Sequence, residues 1–279
     1  MSNPEDPLPE DPSPDAPPAM APWMAVLWAF GITVGMYVLI GARVSLRPGS
    51  AHDMVADAAC QAIAYLLGIF LILRVHAPDA SVRDYVGLRR THALFYVFGL
   101  LLGLAVHPLA EAVEALLLKR WPLGDESQLV ELYQAGSPAW RVGLVAGVVF
   151  AGPLVEEFLF RGAIFRGMSR IYPPGFVTIV TACIFGAVHM RWQVMVPVGM
   201  VGLVLGWLRA KSGSIVPTAL AHMAFNGVSV AAIAVAPEAK YSLAVTLGAL
   251  ALAALLLGCV TLVGARSAVA ARARELDLA

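Results

Sequence analysis

Two adjacent carboxylates, two imidazoles and one amide in the second half of the 279-residue chain are the side chains best suited to chemistry. They fall in three patterns, Glu156-Glu157-x-x-x-Arg161, Phe185-x-x-x-His189 and His222-x-x-x-Asn226. A spacing of four on a helix advancing about 100° per residue puts both ends of each pattern on one face. Glu157 precedes Arg161, the order that favours an ion pair, so these two are expected to neutralise each other. Glu156 points about 100° away from Glu157 and is left for another partner. A carboxylate crowded by a second one in poorly solvated surroundings is a usable general base. His222 and Asn226 aim at one place, where an imidazole and an amide N–H could hold an oxyanion. His189 would add a third hydrogen-bonding group or, with His222 and a Glu, complete the N,N,O ligand set of a zinc site. No metal is assigned; were one present, its ligands would be Glu156, His189 and His222.

Each pattern also has an ordinary reading. A buried His is commonly a satisfied packing residue, a Glu-Arg pair a structural clasp, and Phe185 a core residue. The weight lies in their joint occurrence. Gly152-Pro153 stands just before the Glu pair, and a proline there is expected to break or kink the helix and to free a backbone carbonyl. The Glu pair would then open a fresh helical segment, whose dipole favours ionised carboxylates. His107, Glu111 and Glu114 form a rival set at i, i+4 and i+7. It could serve as a proton relay, although its place beside Lys119 and Arg120 favours a solvated or snorkelling face. Tyr37, Gln61, Tyr65 and Gln193 read as interhelical hydrogen-bond groups. Cys60, Cys183 and Cys259 have no ligand spacing and read as buried small hydrophobes.

The elements that must position these groups are membrane helices. Hydrophobic residues make up 59% of the chain and charged ones 14%, against about a quarter charged in soluble domains. The expected fold is all-α, a polytopic membrane helix bundle of about eight transmembrane helices. Apolar runs lie at about 23–42, 54–73, 93–118, 140–170, 175–190, 193–208, 214–235 and 241–265. Trp23, Trp121, Trp140, Trp192 and Trp207 lie near their ends, where amphipathic rings favour the headgroup region. Residues 1–22 are acidic and proline-rich without a Lys or Arg, and read as a disordered tail. Residues 23–139 hold the N-terminal transmembrane helices and an interfacial segment, 124–138. Residues 140–235 hold the three patterns, and 236–279 a last transmembrane helix with a basic tail.

Net charge is zero, which argues against nucleic acid as a partner. With a cytoplasmic amino terminus, Arg74, Arg83, Arg89, Arg90, Arg166, Arg170, Arg209, Lys211, Arg266, Arg272 and Arg274 lie inside. Arg43, Arg47, Lys119, Arg120, Arg141, Arg191 and Lys240 lie outside, so the charge balance puts both termini in the cytoplasm. No internal repeat, phosphate loop, Gly-x-Ser-x-Gly or His-Glu-x-x-His pattern is present.

The three ordered motifs, over about residues 140–235, resemble the signature of the CPBP family (CAAX protease and bacteriocin-processing) of glutamate-type intramembrane proteases, the group that includes CAAX prenyl protease 2-like enzymes. The resemblance implies a cavity open toward the cytoplasm. In it a water is activated by Glu156 with help from His189, an oxyanion is held by His222 and Asn226, and Glu157 and Arg161 support and orient. Members are often labelled metalloproteases, zinc being the metal in question, and a metal-free glutamate mechanism is the competing view; the sequence reading leans to the latter. The resemblance does not fix the substrate: eukaryotic relatives trim prenylated CAAX proteins, and bacterial ones are linked to bacteriocin maturation or immunity, or to removal of carboxy-terminal sorting tails. The Ala, Gly, Val and Arg richness points to a bacterial inner membrane, with a membrane-associated protein or peptide as substrate and the lipid bilayer as surroundings. Two other classes stay open: a non-catalytic membrane peptide-binding or immunity protein, and a proton-coupled transporter built on His107, Glu111 and Glu114 with the Glu156 cluster.

Overall fold

The computed structural model describes residues 19–50, 53–122, 128–236 and 239–277. The expected tail therefore lies almost wholly outside the described residues, as does the start of the interfacial segment. Every regular element among the described residues is helical. In chain order these are α1 (Pro22–Leu46), α2 (Met54–His76), α3 (Val82–Val86), α4 (Ala93–Arg120), α5 (Gln128–Ala135), α6 (Pro138–Met168), α7 (Pro174–Ala187), α8 (Trp192–Ser212), α9 (Val216–Val235) and α10 (Leu243–Asp277).

Among the described residues, seven helices are long and apolar enough to cross a membrane. The expected fifth span, α7, is shorter, at 14 residues, which is about 21 Å at 1.5 Å per residue against about 30 Å of hydrocarbon. It stops because the chain turns sharply at His189 and Met190. Met190 has φ of 61°, a left-handed conformation that costs a non-glycine residue roughly 1–2 kcal/mol. The expected basic tail is not separate, since α10 continues unbroken to Asp277. Of the segment 124–138 expected at the interface, Gln128–Ala135 forms the short helix α5, whose last carbonyls, Tyr133 O and Gln134 O, accept hydrogen bonds from Arg141.

Prolines begin α1, α6, α7 and α9, where their missing N–H is no loss. Asp53 caps α2 by accepting from Ala56 N, and Ser137 caps α6 by accepting from Trp140 N. Gly87 and Gly213, at φ of 77° and 66°, supply left-handed caps after α3 and α8. Gly99 and Gly103 let α4 lie against α9 so closely that a Cβ at either would overlap the carbonyl of Pro217 or Ala221. This seam fixes the helix that carries His222 and Asn226.

Two apolar cores result. One joins α1, α2, α3, α6 and α7, and the other joins α4, α8, α9 and α10. The patterns of the second half meet where the two cores abut. Cys183 departs from its expected place: it is exposed on the outer surface of α7, while Cys60 and Cys259 are half-buried.

Pro153 does not break α6. The helix passes through it by widening into π turns at Ala146–Ala151 and Phe158–Ile164, with an ordinary α-helical stretch, Gly152–Glu157, between them. A wider turn accommodates the proline ring and the missing N–H without ending the helix. The expected fresh N-terminus, with its dipole acting on the Glu pair, is therefore absent.

Candidate active site

Glu157 and Arg161 are wholly buried and joined at 2.8 Å, as their spacing predicts. Arg161 also donates through Nη2 to Gly202 O on α8 at 3.2 Å and lies 4.3 Å over the Phe185 ring. Charge, carbonyl and π-face thus meet part of what a buried cation requires, while Nε of Arg161 and Oε2 of Glu157 are buried without a hydrogen-bond partner. The second partner of Glu157 comes from across the bundle: Nδ1 of His222 lies 3.0 Å from the same Oε1. Since that carboxylate already accepts from Arg161, Nδ1 of His222 carries the hydrogen and donates it. This bond ties α6 to α9.

His222 then turns its other nitrogen toward Glu156, with Nε2 3.7 Å from Oε2. Glu156 accepts from Gln61 Nε2 on α2 at 2.7 Å through its remaining oxygen. Unlike its neighbour it is only partly buried, and it lines a cleft of about 300 Å³. Tyr37, Asp57, Gln61, Val148, Pro153 and Asn226 line the cleft with it, so α1, α2, α6 and α9 all contribute.

Asn226 donates through Nδ2 to Val148 O at 2.8 Å. The reason lies in α6. In the π turn the Gly152 N–H reaches back five residues to Gly147 O, so the next N–H in that ladder would belong to residue 153 and would reach Val148 O. Residue 153 is proline, and Asn226 supplies the missing hydrogen. The carbonyl that the sequence predicts to be freed is the one that holds Asn226, and one Nδ2 hydrogen remains for the cleft.

His189 follows the end of α7, its Nδ1 2.8 Å from Phe185 O. A carbonyl only accepts, so Nδ1 is the N–H and the neutral ring offers Nε2 as an acceptor. Phe185 packs edge-on against Phe160, His189 and His222, with ring centroids 5.1, 5.2 and 5.7 Å away. It is core, as its ordinary reading has it, and it is also the spacer that sets the two imidazoles relative to Arg161.

All seven residues singled out in the three patterns thus belong to one neighbourhood. Gln61 was read only as an interhelical hydrogen-bond group, and a polar residue inside the apolar run of α2 was the only signal of more. The conditional zinc ligands are not gathered: among the described residues no three His, Cys, Asp or Glu side chains form a group able to hold a metal ion. One His222 nitrogen is engaged by Glu157 and one His189 nitrogen by a carbonyl.

The rival set is distinct from this site. His107 is buried rather than on a solvated face, because Nε2 meets Ser229 Oγ at 3.0 Å and Nδ1 meets Tyr241 Oη at 3.3 Å. Glu111 Oε2 stands 3.9 Å from His107 Nδ1. These contacts join α4, α9 and the segment just before α10.

The chain has no match among curated proteins or solved structures. Residues 138–228 match the family model described as type II CAAX prenyl endopeptidase Rce1-like. That span starts at the first turn of α6, ends within α9 and takes in all three motifs. This segment of the second half is thus similar to that family, consistent with the CPBP family that its motifs resemble.

Proposed function

We propose that the chain is an intramembrane endopeptidase that hydrolyses a peptide bond of a membrane-associated protein or peptide. The observation that carries this reading is the division of labour in the Glu pair. Glu157 is consumed by Arg161 and His222, whereas Glu156 faces the open cleft with one oxygen held by Gln61 and the other turned toward His222. A carboxylate positioned on one side and accessible on the other is placed to take a proton from water.

In the proposed reaction, water bound between Glu156 and Nε2 of His189 adds to the scissile carbonyl carbon while Glu156 accepts its proton. The new C–O bond forms as the carbonyl electron pair moves to oxygen. That oxyanion is met by the spare Nδ2 hydrogen of Asn226 and by the Nε2 hydrogen of His222 in its doubly protonated form, whose Nδ1 hydrogen Glu157 holds. Collapse breaks the C–N bond, and the proton passes from Glu156 to the leaving amine. Arg161 and Phe185 act as positioning residues. A water-restricted site inside the bundle strengthens each of these polar interactions. The Rce1-like match supports a peptidase of this type, and no step needs a metal.

The test compares new peptide termini in membranes of cells carrying the wild-type chain and Glu156→Gln. Termini that vanish with Glu156→Gln are expected, with turnover of an identified substrate down ~10²–10⁴-fold. Retained cleavage in that variant would sink the reading. Unchanged termini together with a persisting deletion phenotype would favour a peptide-binding or immunity role instead.

A further inference from the structure

The cleft has a definite mouth. Its lining comes from the carboxy-terminal half of α1 (Met36, Tyr37, Ile40), the start of α2 (Met54, Asp57, Gln61) and the middle of α6. Since α1 runs directly into α2, the turn between them marks the membrane face on which the cleft lies. Gln61 is seven residues into α2, about 10 Å below that face. The ion pair of Arg43 and Asp57 stands at the rim.

The other end is sealed. There α3 packs beneath the site, and Val86 lies so close to α6 that a Cβ on Gly162 would come within 2.8 Å of it. Gly87 O accepts from Ile215 N at 3.1 Å, Arg209 Nε donates to Arg161 O at 2.9 Å, and Arg89 Nε donates to Gly213 O at 2.7 Å. Arg170 Nη1 closes the corner by donating to His76 O at 3.0 Å.

This sealed end is the basic one. Met20 N meets Gly167 O at 3.4 Å, so the start of α1 lies beside the end of α6. Gly264 of α10 packs on Lys211 at the end of α8. Nine of the Lys and Arg residues counted with the amino terminus, from Arg74 to Arg266, thus share the sealed face, against seven on the face of the mouth. Cytoplasmic loops are the ones enriched in Lys and Arg. A cytoplasmic amino terminus and a cytoplasmic cavity are then mutually exclusive in this fold, and the charges decide between them.

We propose that the cleft opens to the extracytoplasmic side and takes peptide segments exposed at the outer leaflet. This rests on the peptidase reading for what is done to the peptide, but not for the side from which it comes. The test uses a chain in which Cys60, Cys183 and Cys259 are replaced by Ala and one cysteine is added. Gly49→Cys marks the mouth face and Ala80→Cys the sealed face; both positions are exposed. Intact cells are treated with a membrane-impermeant maleimide. Labelling of Gly49→Cys in intact cells, and of Ala80→Cys only after lysis, is expected. The reverse pattern, or labelling of both or neither before lysis, overturns the proposal. Pro48→Cys and Asp79→Cys repeat the pair should either variant fail to reach the membrane. Labelling needs no turnover, so its outcome is separate from the fate of Glu156→Gln, which alone judges the peptidase reading.

Discussion

Gln61 and Glu156 face each other across α2 and α6, amide Nε2 to carboxylate oxygen at 2.7 Å, so the partly buried member of the Glu pair is held from outside its own motif. Gln61→Ala is expected to lower kcat by ~10–100-fold with little change in KM, because the proposed base loses its orientation while the walls of the cleft remain. Gln61→Glu should be at least as damaging, since two facing carboxylates repel each other or must share a proton. Steady-state kinetics on a cleaved peptide checks both. An unchanged kcat with only a lowered melting temperature would reduce Gln61 to a structural tie.

The buried Glu157–Arg161 pair makes a stability prediction. Arg161→Ala leaves a carboxylate uncompensated in the core and is expected to cost about 3–5 kcal/mol. Glu157→Leu combined with Arg161→Met removes both charges and should recover much of that loss without recovering activity. Thermal unfolding in detergent micelles measures the two against wild type, and a double variant no more stable than Arg161→Ala would contradict the account.

Pro153 separates stability from activity. Pro153→Ala restores an N–H that competes for Val148 O, the carbonyl now held by Asn226. Relieving a helix-interior proline is worth up to about 3 kcal/mol, so the melting temperature should rise. Turnover should fall, because the amide of Asn226 loses its anchor. A variant that gains stability and keeps full activity would show that this anchor does not matter.

Tyr85 lies outside the spanning helices, and burial pushes its hydroxyl up to about 12 although Arg170 and Arg166 pull the other way. The folded protein keeps Tyr85 neutral where the unfolded chain begins to ionise near 10. Its contribution to stability is therefore full below about pH 10 and is lost as pH rises from there through about 12. Its Oη also has no hydrogen-bond partner. Tyr85→Phe should leave stability at pH 8 unchanged or slightly raised, and should blunt the alkaline fall between pH 10 and 12. An alkaline unfolding profile identical to wild type would refute the assignment.

What was legible in the sequence was local. Glu157 and Arg161 meet because a spacing of four leaves them little choice, and the surplus of Glu156 follows from the same geometry. The apolar runs gave the helices and placed α7 as a span, though not its early stop, since a left-handed turn at Met190 has no compositional mark. Pro153 was read correctly for the carbonyl it frees and wrongly for the break, because a helix inside a packed bundle can widen instead of ending. Gln61 lies 95 residues from Glu156, and His222 lies 65 from Glu157; such pairings are set by how helices cross, which no period along one helix records. His107 looked superficial because charged neighbours flank it, yet Ser229 and Tyr241 enclose it.

The widened turns of α6 bear on its length. A π turn holds about one residue more than the α turn it replaces, so this 31-residue helix carries spare chain around its Glu pair. A one-residue deletion within 146–151 would still leave a helix able to bridge the bilayer, correctly inserted and abundant. It would, however, re-register the carbonyls that meet α9. A shortened protein of this kind would pass every assay of expression and topology while its amide at position 226 had nothing to hold.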